Sequence, residues 1–197
     1  MNFPDYLQPD FFRFGWDQML LVKTVHEHTP AGKISAMVEL GIGSGVMSCE
    51  LSQLREIEEL HGVEYQQEAW ESFLTPNLRT HGRFQRHQLH WGKVSEFNLD
   101  GAIQVPLVIA NPPYFLPRAG RKSLDPRRNI AHRFVVDEPQ DWVDAMVRTL
   151  APGGEAWWLH RDPGPQGKPK MPANFKWKHV VHSGRMRVIR LSHLNVE

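Results

Sequence analysis

The segment VPLVIANPPYF, residues 105–115, constrains this chain more than any other stretch. Its first six residues are almost wholly apolar, the pattern of a strand buried on both faces of a covered sheet. The strand cannot continue beyond Ala110, because Pro112 and Pro113 remove two ladder donors in succession. A core strand therefore ends at once in an amide, two rigid rings and a phenol. In open parallel sheets, ligands bind beyond strand ends of this kind.

The rest of the chain alternates strand and helix signals. Apolar residues at helical spacing predict a helix over 17–28, with Asp17 as its N-cap. A short strand over 35–40 closes in GIGSG, and a helix follows over 46–54. A second strand (60–65), a second helix (66–74), a weakly alternating third strand (83–91) and the strand at 105–110 come next. A helix over 138–150 stops at APGG, a fifth strand covers 155–160, and a Gly/Pro/Lys-rich loop follows over 161–174. Two strands about a turn at Ser183 and Gly184 end the chain. This order predicts an α/β fold, a Rossmann-like, doubly wound and mostly parallel sheet to which a C-terminal antiparallel hairpin adds one strand.

The length of 197 residues suits a single domain. Its expected parts are a helical lead-in (1–34), a core (35–160) and a loop with the terminal hairpin (161–197). A net charge of +1 supplies no overall pull toward nucleic acid or membrane, so any such preference rests on local clusters. Cys49 is the only cysteine, which excludes an internal disulfide and points to a reducing compartment. The N-terminal MNFPDYLQPDFFRFGW lacks the form of a secretory signal, and no apolar run approaches the ~20 residues of a membrane helix. A cytoplasmic, monomeric protein without a membrane partner is expected.

The loop ELGIGSGV puts Glu39, Gly41, Gly43 and Gly45 between the first strand and its helix. Glycines there permit a tight turn and close approach to a ligand. The dinucleotide fingerprint needs G-x-G-x-x-G, whereas this loop reads G-x-G-x-G with an acid two residues ahead. A carboxylate there repels a pyrophosphate and accepts hydrogen bonds from an ammonium, so the loop suits a cofactor with a positively charged amino-acid end. Glu64 ends the second strand, where α/β nucleotide binders place a carboxylate on ribose hydroxyls. The plain alternative is a glycine turn with an exposed glutamate.

The first, second and fourth strands thus aim Gly41 to Gly45, Glu64 and Asn111 at one crevice. The two prolines fix the backbone, so the Asn111 amide oxygen and a neighbouring carbonyl at Pro112 can both accept from one planar NH2 group. Tyr114 offers a flat face to a π-system. The plain alternative is a proline turn.

ELGIGSG, GVEY and NPPYF, in this order and spacing, resemble the class I S-adenosylmethionine-dependent methyltransferases that act on amines. FRFGWDQMLLV ahead of the loop and NIAHRF after the NPPY segment are similar to the bacterial tRNA N6-adenine methyltransferases, which modify an adenine beside the anticodon. The resemblance runs from about Phe12 to His160. It implies S-adenosylmethionine as cofactor, its methionine end on Glu39, Gly41, Gly43 and Gly45 and its ribose on Glu64. It implies that Asn111, Pro112 and Tyr114 hold the target amine. Such enzymes often carry an acid and then an apolar residue after the third strand, for the adenine; those places fall here on His90 and Trp91. A loop also stands after the fifth strand where a helix is usual.

Between Arg118 and Arg133, Asp125 is the only acid among Arg118, Arg121, Lys122, Arg127, Arg128 and Arg133. Such a run suits RNA phosphates, and otherwise a solvated loop. Lys168, Lys170, Lys176 and Lys178 extend the basic face. The histidine spacings His26/His28 and His87/His90 do not converge, so no metal site is expected. Cys49, Trp157 and Trp158 read as core. Together these features predict methyl transfer to an exocyclic amine, adenine N6 in RNA, with tRNA ahead of ribosomal RNA as partner. The alternatives are guanine N2 in ribosomal RNA, glutamine N5 in a protein, and a non-catalytic RNA-binding protein of the same fold.

Overall fold

The computed structural model describes residues 5–99, 103–118, 121–161 and 169–194. Its strands are β1 (Ile34–Leu40), β2 (Ile57–Glu64), β3 (Phe84–Trp91), β4 (Val105–Ala110), β5 (Leu150–Arg161), β6 (Phe175–Ser183) and β7 (Met186–His193). Its helices are α1 (Trp16–His28), α2 (Val46–Leu54), α3 (Gln67–His81), α4 (Pro126–His132) and α5 (Pro139–Thr149). The strands form one sheet in the order β3-β2-β1-β4-β5-β7-β6. The first five run parallel, and β7 and then β6 continue the sheet antiparallel. The fold is α/β and Rossmann-like, and the strand order reverses between β1 and β4, where such sheets open a crevice.

Alternate residues of the strands feed two cores. Met37, Leu60, Ile109, Trp157 and Val188 pack with α1, α2 and α3 on one face. Val38, Val63, Val108, Trp158 and Ile189 pack with α5 and with Val94, Phe97 and Leu99 on the other. This is why β4 is apolar throughout, while β3, at the sheet edge, is exposed along Gln85 to Gln88 and alternates weakly.

Several expectations are corrected. The terminal hairpin adds two antiparallel strands, not one, and β7, with Val188, Ile189 and Leu191 buried, lies beside β5, while β6 buries only Phe175. Helix α1 is capped by Gly15, whose N–H donates to Gln18 Oε1 at 2.7 Å; Asp17 already lies in the first turn. Helix α3 runs on through Pro76 to His81. Burial of Leu74 and Leu78 and three hydrogen bonds of the Asn77 amide outweigh the backbone bond that Pro76 cannot make. Strand β5 starts at Leu150, ahead of the expected APGG stop, and runs through it, since Leu150 pairs with Val105 and a register shift absorbs the next residues before Leu107 pairs with Glu155. The basic segment holds a helix, α4, started by Asp125, whose side chain accepts from Arg127 N, and by Pro126 in the first turn. Lys168 and half of the expected loop over 161–174, residues 162–168, lie outside the described residues.

Candidate active site

The glycine loop is built by backbone geometry. Gly41, Gly43 and Gly45 have φ of 69, 55 and 76°, the left-handed region that favours glycine. The space is glycine-only as well: a Cβ on Gly41 would meet the Trp142 ring at 2.7 Å, and one on Gly45 would meet Leu74 Cδ1 at 2.7 Å. Ile42 N donates to Val63 O at 2.9 Å, which ties the loop to β2. Asn77 donates to Ser44 O and holds Leu7 by both of its backbone groups, so the N-terminal segment is strapped across the same loop.

Two buried carboxylates face the loop. Glu64 Oε2 accepts from Gly43 N at 3.1 Å and Oε1 from Gln66 N at 2.9 Å. Burial raises its pKa, and these backbone donors draw it partly back. Glu39, 1% exposed, accepts from the Ser48 hydroxyl, yet desolvation prevails and its pKa is pushed up to about 8. Each carboxylate keeps acceptor capacity for a ligand donor.

Glu39, Gly41, Gly43, Glu64 and Asn111 line one cleft at the strand ends. Pro113, Phe12, Phe14, Trp70, Trp142, Val94 and Asp137 complete much of its wall. The structure does not bring Gly45, His90, Trp91, Pro112 or Tyr114 onto that wall. Gly45 serves as the N-cap position of α2 and Pro112 is buried beneath. His90 lies 3.3 Å from His61 and edge-on to Phe97, and Trp91 packs toward the core. Strand β3 extends to Trp91, paired with Glu64, so the chain meets the cleft only at Val94. There the buried Asp137 accepts from Val94 N at 3.0 Å and from Ser95 N and Oγ at 3.2 and 2.6 Å. Asp137 escaped the sequence reading because it reaches the cleft from the turn ahead of α5.

The NPPY segment is fixed from two sides. Tyr114 N and Phe115 N donate to His132 O at 3.2 and 3.1 Å, and Phe134 N returns a bond to Phe115 O at 2.9 Å. The NIAHRF segment is therefore paired directly with NPPYF. The Tyr114 hydroxyl lies 2.8 Å from Asp17 Oδ2 and 2.6 Å from Asn111 Oδ1. Burial and the Asp17 carboxylate push its pKa well up. Its single proton serves only one of the two oxygens. When it goes to the Asp17 carboxylate, a half-turn of the Asn111 amide lets Nδ2 donate to the phenol and frees Oδ1.

The basic residues divide by role. Arg133 is buried and donates to Leu116 O and Arg121 O at 3.4 and 2.6 Å. Arg127 pairs with Asp125 at 2.7 Å and lies over the Phe11 ring. Arg118, Arg121, Lys122 and Arg128 are exposed. Among the described residues no cluster of three or more metal-ligating side chains occurs, and no helix is long and apolar enough to cross a membrane. Buried Cys49, its thiol pushed up to about 12 by desolvation, is no nucleophile.

Comparison with known proteins fits this arrangement. No family model matches the chain. The Escherichia coli protein yhhF superposes with a TM-score of 0.66 at 14% identity, over 96% of this chain and 92% of that one. The 16S rRNA guanine-N2 methyltransferase RsmC of Thermus thermophilus, solved with AdoMet and guanosine, superposes with a TM-score of 0.61 at 16% identity, over 92% of this chain and 44% of that one. The fold is that of the Rossmann-like methyltransferases. A curated relative, the tRNA1(Val) (adenine(37)-N6)-methyltransferase of Pasteurella multocida, is 29% identical over 122 residues, 60% of this chain and 49% of that protein. The chain thus spans about half the length of the curated relative it matches.

The cleft's donor set fits a cationic nucleoside cofactor. Glu39 and Glu64 supply buried carboxyl groups whose ionised form a bound cation favours, while the indole N–H groups of Trp70 and Trp142 are buried without a partner among the described residues. A ligand carrying a cation together with acceptor atoms matches both. The cleft is open to solvent on one side and holds about 100 Å³ of free space.

Proposed function

We propose that this chain is an S-adenosylmethionine-dependent methyltransferase acting on an exocyclic amine, adenine N6 in tRNA. The observation that carries this reading is the convergence of Asn111, at the end of β4, with the glycine loop, Glu39 and Glu64 in one cleft. Glu39 and the loop would hold the amino-acid end of the cofactor and Glu64 its ribose. Bound there, the cofactor supplies an electrophilic methyl group on a sulfonium.

The chain's own work is alignment. Asn111 Oδ1 accepts an N–H group of the target amine and directs its lone pair. This acceptor also favours the positive charge that develops on the nitrogen. A strong general base is unnecessary, since the amine sheds its proton after attack. Phe12, Phe14 and Trp70 give the cleft an apolar side. An RNA substrate must present the base unpaired or flipped, and exposed Arg121, Lys122 and Arg128 suit its phosphates.

Support for tRNA and adenine comes from the Pasteurella multocida relative and from the NIAHRF segment paired onto NPPYF. The test is transfer of a labelled methyl group from S-adenosylmethionine into total tRNA, ribosomal RNA and protein, followed by digestion. N6-methyladenosine from tRNA is expected. N2-methylguanosine from ribosomal RNA or N5-methylglutamine from protein would move the reading to those amines. A folded, cofactor-binding protein that labels none of them would refute it.

A further inference from the structure

Behind the NPPY segment lies a second cavity, of about 410 Å³, which the cofactor reading leaves unused. Tyr114 and Phe115 line it together with Arg121, Arg128, Arg133 and Arg161. Among the described residues no carboxylate lines it. The nearest candidates are engaged elsewhere, Asp125 with Arg127 and Asp17 with Tyr114. Among the described residues Arg121, Arg128 and Arg161 form no ion pair.

Four guanidinium groups around one cavity repel each other, and an arrangement without a counter-carboxylate is relieved by a bound anion. The cavity is also shaped for one. Phe115 carries Arg161 and Arg133 over its ring at 5.1 and 5.9 Å, which holds both guanidinium planes. Arg133 spends its donors on Leu116 O and Arg121 O and so fixes the wall. That leaves Arg121, Arg128 and Arg161, which come from the loop after β4, from α4 and from the end of β5.

We infer that this cavity is a phosphate subsite that takes the backbone phosphate next to the methylated nucleotide, with Arg121, Arg128 and Arg161 as its ligands. The inference rests on the RNA methyltransferase reading and adds the place of the phosphate. Tyr114 faces the cavity, and its hydroxyl reaches Asn111, which faces the cleft. One side chain thus separates the two sites, as one sugar separates a base from its phosphate. Arg161 lies outside the basic run of the sequence and joins it only in the folded sheet.

The test is the salt dependence of binding of a single-stranded RNA oligonucleotide of mixed sequence to the full chain. Arg128→Gln and Arg161→Gln should each lower the slope of log affinity against log salt, by at most about 0.7, the value for the one single-strand phosphate they share. Lys33→Gln, at the opposite end of β1, should leave the slope unchanged, and S-adenosylmethionine affinity should be the same in all three variants. Slopes equal to wild type in Arg128→Gln and Arg161→Gln overturn the subsite and leave the RNA reading standing. Absence of salt-dependent RNA binding by the wild-type chain overturns both. Inorganic phosphate provides the last arm. If it stabilises wild type but not Arg161→Gln while the RNA slopes stay equal, the cavity holds free phosphate and the inference falls.

Discussion

Tyr114→Phe removes one oxygen and tests how the amine acceptor is held. That oxygen lies 2.8 Å from Asp17 Oδ2 and 2.6 Å from Asn111 Oδ1. Without it, the Asp17 carboxylate loses a donor and the Asn111 amide loses the contact that selects its orientation. A hydrogen bond to a charged group contributes about 1.5–3 kcal/mol. If that energy orients Asn111, methyl transfer should slow by roughly 10- to 150-fold, at ~1.4 kcal/mol per tenfold. The ring remains, so RNA affinity should barely change. Single-turnover transfer into the accepted RNA, with cofactor and RNA saturating, is the assay. The decisive comparison is a double-mutant cycle with Asn111→Ala. Because the hydroxyl acts through Asn111, Tyr114→Phe should cost almost nothing further in the Asn111→Ala background. Additive losses, or a wild-type rate in Tyr114→Phe, would refute the Asp17–Tyr114–Asn111 chain.

Asn111→Ala alone should lower the single-turnover rate by about 10²–10³-fold, by analogy with the loss of one oxyanion-hole donor, while calorimetric cofactor affinity stays near wild type. Glu64→Ala should weaken S-adenosylmethionine binding about tenfold or more, because the ribose loses a charged acceptor; unchanged affinity in a folded variant would remove Glu64 from the site. Glu39 predicts a pH effect with a definite sign. Its pKa rises from 4.5 in the unfolded chain to about 8 in the fold, so only the folded state keeps this proton between those values. Its contribution to stability therefore falls as pH rises through that window. A cationic ligand selects the ionised form, so binding at pH 7 should release close to one proton, read by calorimetry in buffers of different ionisation enthalpy. Equal release by Glu39→Gln would sink this assignment.

What the sequence made legible was local. A glycine loop, an acid at the next strand end and an amide before two prolines are each set by a few neighbouring residues, and parallel strands bring them together. The lost information was of two other kinds. Helix α4 is seven residues of mostly polar composition, so its start signal at Asp125 and Pro126 was hidden in a run of arginines. The second kind is register. Counting from Arg83 put His90 where the cleft was expected, but β3 pairs Trp91 with Glu64, so the chain reaches the cleft only at Val94. Asp137, which binds Val94 N across 43 residues, and Asp17, which reaches Tyr114 across 97, have no local signature at all.

The division of charge about Tyr114 bears on the choice of substrate. On one side the cleft holds Glu39, Glu64 and Asp137, all buried. On the other, the cavity holds four arginines and, among the described residues, no acid. A peptide glutamine would place a neutral side chain near Asn111 and neutral backbone near the arginines, leaving that charge unmatched. A nucleotide places a neutral base by Asn111 and an anionic phosphate one sugar away, and so meets both sides. The cation of the cofactor then answers the acids of the cleft. Guanine N2 and adenine N6 satisfy this arrangement equally, because both are aromatic amines on a phosphorylated sugar. Under the proposed function this charge fits a nucleic acid better than a protein, and the choice between the two bases falls to residues that share the cleft with Asn111, among them Phe12, Phe14 and Ile130.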